Sequence, residues 1–181
     1  MVRKYRLVIK GKSYKMKILI ISDSHGYNKN VKTVIDLEKP DMLIHCGDVE
    51  GSEAEIEKLA GAPRTPCVFV KGNCDWGSTN QTTRKFTLCN HNFLITHGHV
   101  QGIHSSDDAL KLKYLAESNE CDIVCFGHIH VPVDEQDGNI RILNPGSISR
   151  PRGGRKPTYL ILYMTEDGMY TVEKKMLQVE E

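Results

Sequence analysis

Met16-Lys17-Ile18-Leu19-Ile20-Ile21-Ser22-Asp23-Ser24-His25 carries a short aliphatic run straight into a carboxylate and an imidazole. A run of this length, bounded by polar residues, reads as a buried strand. A strand that stops at such groups delivers them to the sheet edge, where ligands bind in α/β folds. The arrangement recurs along the chain. Gly47-Asp48 comes shortly after a strand expected at Asp41–His45, and Gly72-Asn73-Cys74-Asp75 follows one at Cys67–Val70. His97-Gly98-His99 follows Phe93–Thr96, and Gly127-His128-Ile129-His130 follows Cys121–Phe126.

Between these strands the pattern alternates with helices. Asn28–Glu38 places Val31, Val34, Ile35 and Leu37 on one side and is closed by Pro40. Ser52–Leu59 opens on Ser52 with Glu55 three residues later, a capping-box pattern. Strand and helix alternation predicts parallel strands in the first third. Later segments pair as hairpins: Lys85–Leu88 with Phe93–Thr96 around Asn90-His91-Asn92, and Pro132–Glu135 with Ile140–Leu143 around Asp137-Gly138. Tyr159–Met164 and Tyr170–Met176 flank Glu166-Asp167-Gly168, and Asp107–Ala116 reads as a helix. Parallel strands early and hairpins late suit an α/β fold of two sheets packed face to face, with helices outside.

The chain has 181 residues, a formal net charge of +1 and an apolar fraction of 39%. One domain of this size buries about 70% of its unfolded surface without a metal or disulfide staple. Residues 16–181 are expected to form that single domain. Residues 1–15 are expected to be an arm, a start-codon artefact or an extra edge strand around Tyr5–Ile9. The near-neutral charge argues against broad nucleic-acid attraction. No apolar stretch approaches the ~20 residues that span a bilayer, and the basic N-terminus is too short for a secretory signal. A cytoplasmic location is expected, with the cysteines at 46, 67, 74, 89, 121 and 125 reduced.

The clustered residues form a coherent donor set. Asp23 and Asp48 supply carboxylates, His25, His97, His128 and His130 imidazoles, and Asn73 an amide oxygen. Nitrogen and oxygen donors without an obligatory thiolate suit manganese, iron, zinc, cobalt or nickel. Two ions ~3.5–4 Å apart lower the pKa of bound water to about 7 and neutralise phosphoryl oxygens, the chemistry of phosphate-ester hydrolysis. Residues two apart in an extended segment share a side, so Asp23 with His25, and His128 with His130, are expected to converge. Glycines at 47, 72, 98 and 127 permit tight turns beside a crowded site.

Asp-x-His, Gly-Asp, Gly-Asn, His-Gly-His and Gly-His-x-His, in this order on strand ends, resemble the calcineurin-like metallophosphoesterases, in particular the small phosphodiesterases of the YfcE type. The resemblance runs from about Lys17 to the end. It includes Asn144-Pro145-Gly146-Ser147 and Arg150-Pro151-Arg152-Gly153-Gly154. It implies a four-layer α/β/β/α sandwich and a pair of divalent metal ions, manganese, iron, zinc or nickel, with manganese favoured. Asp23, His25 and His130 would hold the first ion, Asp48 would bridge, and Asn73, His97 and His128 would hold the second. Asp48, Asn73, Cys74 and His97 are the implied catalytic residues.

Much of the family has a histidine after the Gly-Asn asparagine, placed to protonate the leaving oxygen; this chain has Cys74. General-acid help is worth ~10²–10⁴-fold, so its loss favours substrates whose leaving group needs little protonation. The expectation is therefore a phosphodiesterase that hydrolyses a small phosphodiester with metal-activated hydroxide. The alternatives are a phosphomonoesterase of the same superfamily and a non-catalytic protein-binding scaffold like the retromer subunit, in which some ligands are altered. No membrane or stable nucleic-acid partner is expected, and homo-oligomerisation is left open. His99 and Asp75 are read equally well as supporting groups or loop residues. His45 is read as structural, His91 and His104 as loop residues, and Arg150, Arg152, Arg155 and Lys156 as a basic loop.

Overall fold

The computed structural model describes residues 7–9, 12–153 and 156–178. Two five-stranded sheets dominate it. The first has the order β12-β11-β3-β4-β5, built from β3 (Met16–Ile21), β4 (Met42–His45), β5 (Cys67–Phe69), β11 (Thr158–Met164) and β12 (Tyr170–Met176). The second has the order β6-β7-β8-β10-β9, built from β6 (Thr83–Leu88), β7 (His91–Thr96), β8 (Ile123–Cys125), β9 (Pro132–Asp137) and β10 (Ile140–Pro145). Both sheets are mixed. β3, β4 and β5 run parallel in one, β7, β8 and β10 in the other, and antiparallel strands complete each.

The side-chain period of two sorts residues into three apolar layers. Ile18, Ile20, Ile44, Leu160 and Leu162 meet Phe93, Ile95, Ile123, Cys125 and Leu143 between the sheets. The opposite faces of the same strands point outward. Leu19, Ile21, Leu43 and Ile161 pack under α1 (Asn28–Glu38) and α2 (Glu53–Ala60) with Val31, Val34 and Ile56. Leu94, Val124 and Ile142 pack under α3 (Leu110–Ser118) with Leu112 and Ala116. Burial on both faces is why the inner strands read as unbroken apolar runs. The α/β/β/α order expected from the sequence is thus the order of the layers. No helix among the described residues is long and apolar enough to cross a membrane.

Several local expectations are corrected. The Ser52–Glu55 capping box does not form: Ser52 Oγ donates to the Val49 carbonyl (2.8 Å), and Glu55 accepts from Asn28 Nδ2 (2.7 Å). Tertiary partners outcompete the local box. The first hairpin turns at Cys89-Asn90, both left-handed (φ 46° and 64°), as a tight two-residue turn requires. His91 therefore starts β7 rather than lying in a loop; its ring contacts the Asp122 carboxylate and, at 2.6 Å, the Gly168 carbonyl. The expected helix at Asp107–Ala116 is a 3-10 turn at Ser106–Ala109 followed by α3. Near the N-terminus, β1 (Leu7–Ile9) pairs with β2 (Lys12–Tyr14) as a separate ladder rather than extending either large sheet; Tyr5 lies outside the described residues.

Glu38, at the end of α1, ties the helix layer to the first sheet. Its buried carboxylate meets Lys17 Nζ at 2.5 Å and Lys175 Nζ at 3.0 Å, and accepts the Tyr159 hydroxyl at 2.8 Å. Burial raises its pKa, but these three donors more than offset that and leave it below the ordinary carboxylate value. A depressed folded-state pKa contributes stability above the unfolded value, lost as pH falls through the folded one. Glu38→Gln is expected to lower unfolding free energy by about 1–3 kcal/mol at pH 7. That deficit should shrink as pH drops below 4.5, the ordinary value. Urea midpoints of both proteins at pH 7 and at low pH check this, and a deficit independent of pH would contradict it.

Candidate metal centre

The chemistry-bearing residues leave the carboxyl ends of parallel strands in both sheets: Asp23 after β3, Asp48 after β4, Asn73 after β5, His97 after β7 and His128 after β8. Because the two sheets pack face to face, these ends meet at one rim. The backbone there is unusual. Asp23, His25, Asp48, Glu50, His128 and His130 all have left-handed conformations, with φ between 48° and 70°. Each costs of order 1–2 kcal/mol for a residue with a side chain. The pairs Asp23/His25 and His128/His130 therefore do not converge as alternate residues of an extended strand, as the sequence suggested. Left-handed turns bring Asp23, His25 and His130 to one another.

The side-chain atoms gather closely. Asp23, His25 and His130 each offer a donor atom within 4.8 Å of the others. His130 Nε2 is 3.1 Å from Asp23 Oδ1 and 3.4 Å from His25 Nε2. A second gathering lies beside it: His97 Nε2 is 3.1 Å from Asn73 Oδ1 and 3.4 Å from Asp48 Oδ2. Asp48 Oδ2 is also 3.9 Å from His25 Nε2, so one carboxylate oxygen lies between the two gatherings. His128 is placed differently. Its backbone N–H donates to Asp23 Oδ2 (3.1 Å), and its ring packs edge-on against His97 with centroids 5.1 Å apart. It is absent from the tightest donor groups among the described residues.

The donor set fits a cation. His25, His97 and His130 each direct Nδ1 to an oxygen: Glu50 Oε1 (2.7 Å), the Cys46 carbonyl (2.7 Å) and the Arg150 carbonyl (2.5 Å). That leaves every Nε2 facing the shared space, the arrangement that orients imidazole ligands. Asp23 Oδ1 is fully buried and faces the same space, with His130 Nε2 3.1 Å away but no hydrogen bond of good geometry. Burial pushes the Asp23 and Asp48 carboxyls up, yet the His130 and His97 rings more than offset this and both end below the ordinary range. Burial likewise lowers His97 and His130, and the same carboxylates reverse it. The pocket thus has a strong demand for positive charge. His128, by contrast, is driven down to about 4, by burial first and by His97 second.

Residues that sequence reasoning left open or missed hold this arrangement. Asp75 is buried and its carboxylate accepts four backbone N–H groups: Asp48 (2.9 Å), Val49 (2.7 Å), Glu50 (2.7 Å) and Gly72 (2.7 Å). It joins the Asp48 loop to the Asn73 loop. The Ser147 and Ser149 hydroxyls both donate to the Asp23 carbonyl at 2.9 Å, and Asn144 Nδ2 donates to the Gly127 carbonyl at 2.8 Å. His45 accepts the Gly47 N–H (3.3 Å) and contacts Ser24 Oγ (3.0 Å), a structural role. Two glycines are required by close approach: a Cβ on Gly72 would lie 2.1 Å from Asp48 Oδ1, and one on Gly127 2.0 Å from Ser22 Oγ.

The remaining candidates fall around the centre. Cys74 donates its N–H to Asp48 Oδ1 (2.8 Å), and its thiol accepts from Asn73 Nδ2 (3.2 Å). Burial, then the Asp48, Glu50 and Asp75 carboxylates, push that thiol to about 11. The His99 ring tilts against His97 at 5.3 Å, with its buried Nδ1 unbonded. His104 is exposed, as are Arg150, Arg152 and Lys156, while Arg155 lies outside the described residues. All six cysteines are free.

Comparison with known proteins places the chain in a family. Residues 16–167 match the calcineurin-like phosphoesterase superfamily domain. The chain is 38% identical to the probable metallophosphoesterase YsnB of Bacillus subtilis over 154 residues, covering 84% of this chain and 86% of that protein. It is 29% identical to the phosphodiesterase YfcE of Escherichia coli over 170 residues, covering 81% and 87% respectively. A crystal structure of a predicted phosphoesterase from Streptococcus pneumoniae superposes with a TM-score of 0.69 at 30% identity, over 88% of this chain and 98% of that one. The chain that gathers these carboxylates and imidazoles at its rim belongs to the calcineurin-like phosphoesterase superfamily.

Proposed function

We propose that the protein is a binuclear metal-dependent phosphodiesterase acting on a small phosphodiester. The observation that carries this reading is Asp48 Oδ2, set 3.9 Å from His25 Nε2 on one side and 3.4 Å from His97 Nε2 on the other. Asp23, His25 and His130 would hold one ion, and Asn73, His97 and His128 the other, with Asp48 shared. The His128 ring packs against that of His97 at 5.1 Å and would have to turn to offer a nitrogen to the same ion. A bound pair of divalent ions supplies positive charge to the phosphoryl oxygens and lowers the pKa of water to about 7.

The chain's own groups do the rest. Asp48 is held by the Cys74 N–H, and Asn73 presents its amide oxygen toward the shared space while its Nδ2 points at the Cys74 sulfur. His97 is fixed by the Cys46 carbonyl. Cys74 stands where an imidazole acid would be matched to neutral pH. A thiol beside a cationic metal pair tends to ionise or be oxidised, which makes it a poor proton donor to an alkoxide leaving from a dianionic monoester. A diester with a stabilised leaving group needs less of that help. The curated relative named as a phosphodiesterase supports the same preference. All seven expected ligand positions hold metal-competent side chains, which favours an enzyme over a protein-binding scaffold in which some are altered.

Two variants test the roles. Asp48→Ala and Asn73→Ala are expected to reduce manganese-supported hydrolysis of bis-p-nitrophenyl phosphate by at least ~10²-fold, with far-ultraviolet circular dichroism retained and bound metal, measured by mass spectrometry, reduced. Near-normal rates in either variant would contradict the assignment. Cys74→His is expected to raise monoester turnover relative to diester turnover, toward the ~10²–10⁴-fold range of a positioned general acid. Steady-state rates on p-nitrophenyl phosphate and its bis ester give the ratio; an unchanged ratio would remove position 74 from the explanation.

A further inference from the structure

The Cys74 sulfur, a ring nitrogen of His25 and a carboxylate oxygen of Asp48 all lie within 4.8 Å of one another. An ion ~2.3 Å from sulfur and ~2.0–2.1 Å from nitrogen or oxygen needs donors gathered on this scale. The backbone keeps the sulfur there. The Cys74 N–H donates to Asp48 Oδ1 (2.8 Å), and the Asp75 carboxylate ties the same loop to the Asp48 N–H. Asn73 Nδ2 donates to the Cys74 sulfur (3.2 Å), the kind of outer bond that steadies a metal ligand. Two observations independent of the cysteine point to a cation beside His25. His25 Nε2 and His130 Nε2 face each other at 3.4 Å, and the fully buried Asp23 Oδ1 lacks a hydrogen bond of good geometry. Asp23, His25 and His130 form the gathering that shares His25 with Cys74. Among the described residues, no other cysteine joins such a donor group.

Resting on the two-metal reading, we infer that Cys74 is a sulfur ligand to the ion that His25 and Asp48 face, so that this position selects a thiophilic metal such as zinc over manganese. On ligation the S–H bond gives its proton to solvent and the sulfur supplies its electron pair to the metal; no oxidant or reductant is consumed. Thiolate is a soft donor that suits zinc, whereas manganese takes oxygen donors and leaves the sulfur unbonded. The other gathering, with Asn73 and His97, contains no sulfur. The centre is therefore soft at one end and hard at the other. The cysteine at position 74 sets the choice of metal as well as the supply of a proton.

The test reads the metal rather than turnover. The full chain is loaded with zinc, its metal content is measured by mass spectrometry, and X-ray absorption is recorded at the zinc edge. Wild-type protein is expected to show a sulfur scatterer at ~2.3 Å. Cys74→Ser and Cys74→Ala should lose it, and Cys67→Ser, a control for thiols elsewhere, should keep it. Cobalt-loaded protein should likewise show a sulfur-to-cobalt charge-transfer band that disappears in Cys74→Ser. In competition titrations Cys74→Ser should lose at least ~10-fold in zinc affinity relative to manganese, since outer partners alone contribute 10–100-fold. Zinc-loaded wild-type protein with only nitrogen and oxygen scatterers, or an unchanged zinc-to-manganese ratio in Cys74→Ser, overturns the inference. Full zinc uptake without a sulfur scatterer overturns the ligand and leaves the two-metal reading standing. A wild-type chain that takes up no zinc overturns both.

Discussion

The carboxylate of Asp75, with four backbone N–H groups converging on its two oxygens, is the interaction on which the rest of the site depends. Those donors come from two loops that follow different strands. One carries Asp48 and the other carries Asn73. Hydrogen bonds to a charged acceptor contribute about 1.5–3 kcal/mol each. They offset the left-handed backbones of Asp48 and Glu50, which cost about 1–2 kcal/mol apiece. The Cys74 N–H at Asp48 Oδ1 and the His25 N–H at the Asp48 carbonyl add to that anchor in holding Asp48 between His25 and His97. Gly72 is part of the same constraint, because only a residue without Cβ lets its N–H reach Asp75 while Asp48 Oδ1 passes alongside.

The other side of the centre has its own restraint. Asp23 is held at its carbonyl by two serine hydroxyls from the segment after β10, and at Oδ2 by the His128 N–H. Sheet packing supplies the coarse placement and these polar contacts supply the fine one. Two buried carboxylates remain charged in this setting chiefly because imidazoles face them, with backbone N–H groups adding to the effect, and cations would serve the same purpose better. The fold therefore concentrates a demand for positive charge at a point where neither sheet alone could place all the donors.

Much of this was legible in the sequence because strand ends are local signals. Each aliphatic run announces a strand, the residue after it announces a position at the rim, and strand–helix alternation orders the first sheet. Asp23, His25, Asp48, Asn73, His97 and His130 meet as those signals suggested. What escaped depended on partners distant in the chain. Ser52 and Glu55 formed a plausible capping box until Val49 and Asn28 claimed their side chains. Asp75 read equally well as a supporting group or a loop residue, because its four donors are invisible in sequence. His91 sat next to a turn whose location was decided by the left-handed Cys89-Asn90 pair. The convergence of Asp23 with His25 was expected for the wrong reason, since left-handed backbone rather than strand pleat turns them inward.

The proposed centre would set the Asp48 carboxylate between two cations. Crystals grown with manganese and measured at an energy that reveals anomalous scattering test it most directly. Two anomalous peaks about 3.5–4 Å apart are expected, one bounded by Asp23, His25 and His130, the other by Asn73, His97 and His128, with the Asp48 carboxylate between them. A single peak, or peaks bounded by other side chains, would contradict it.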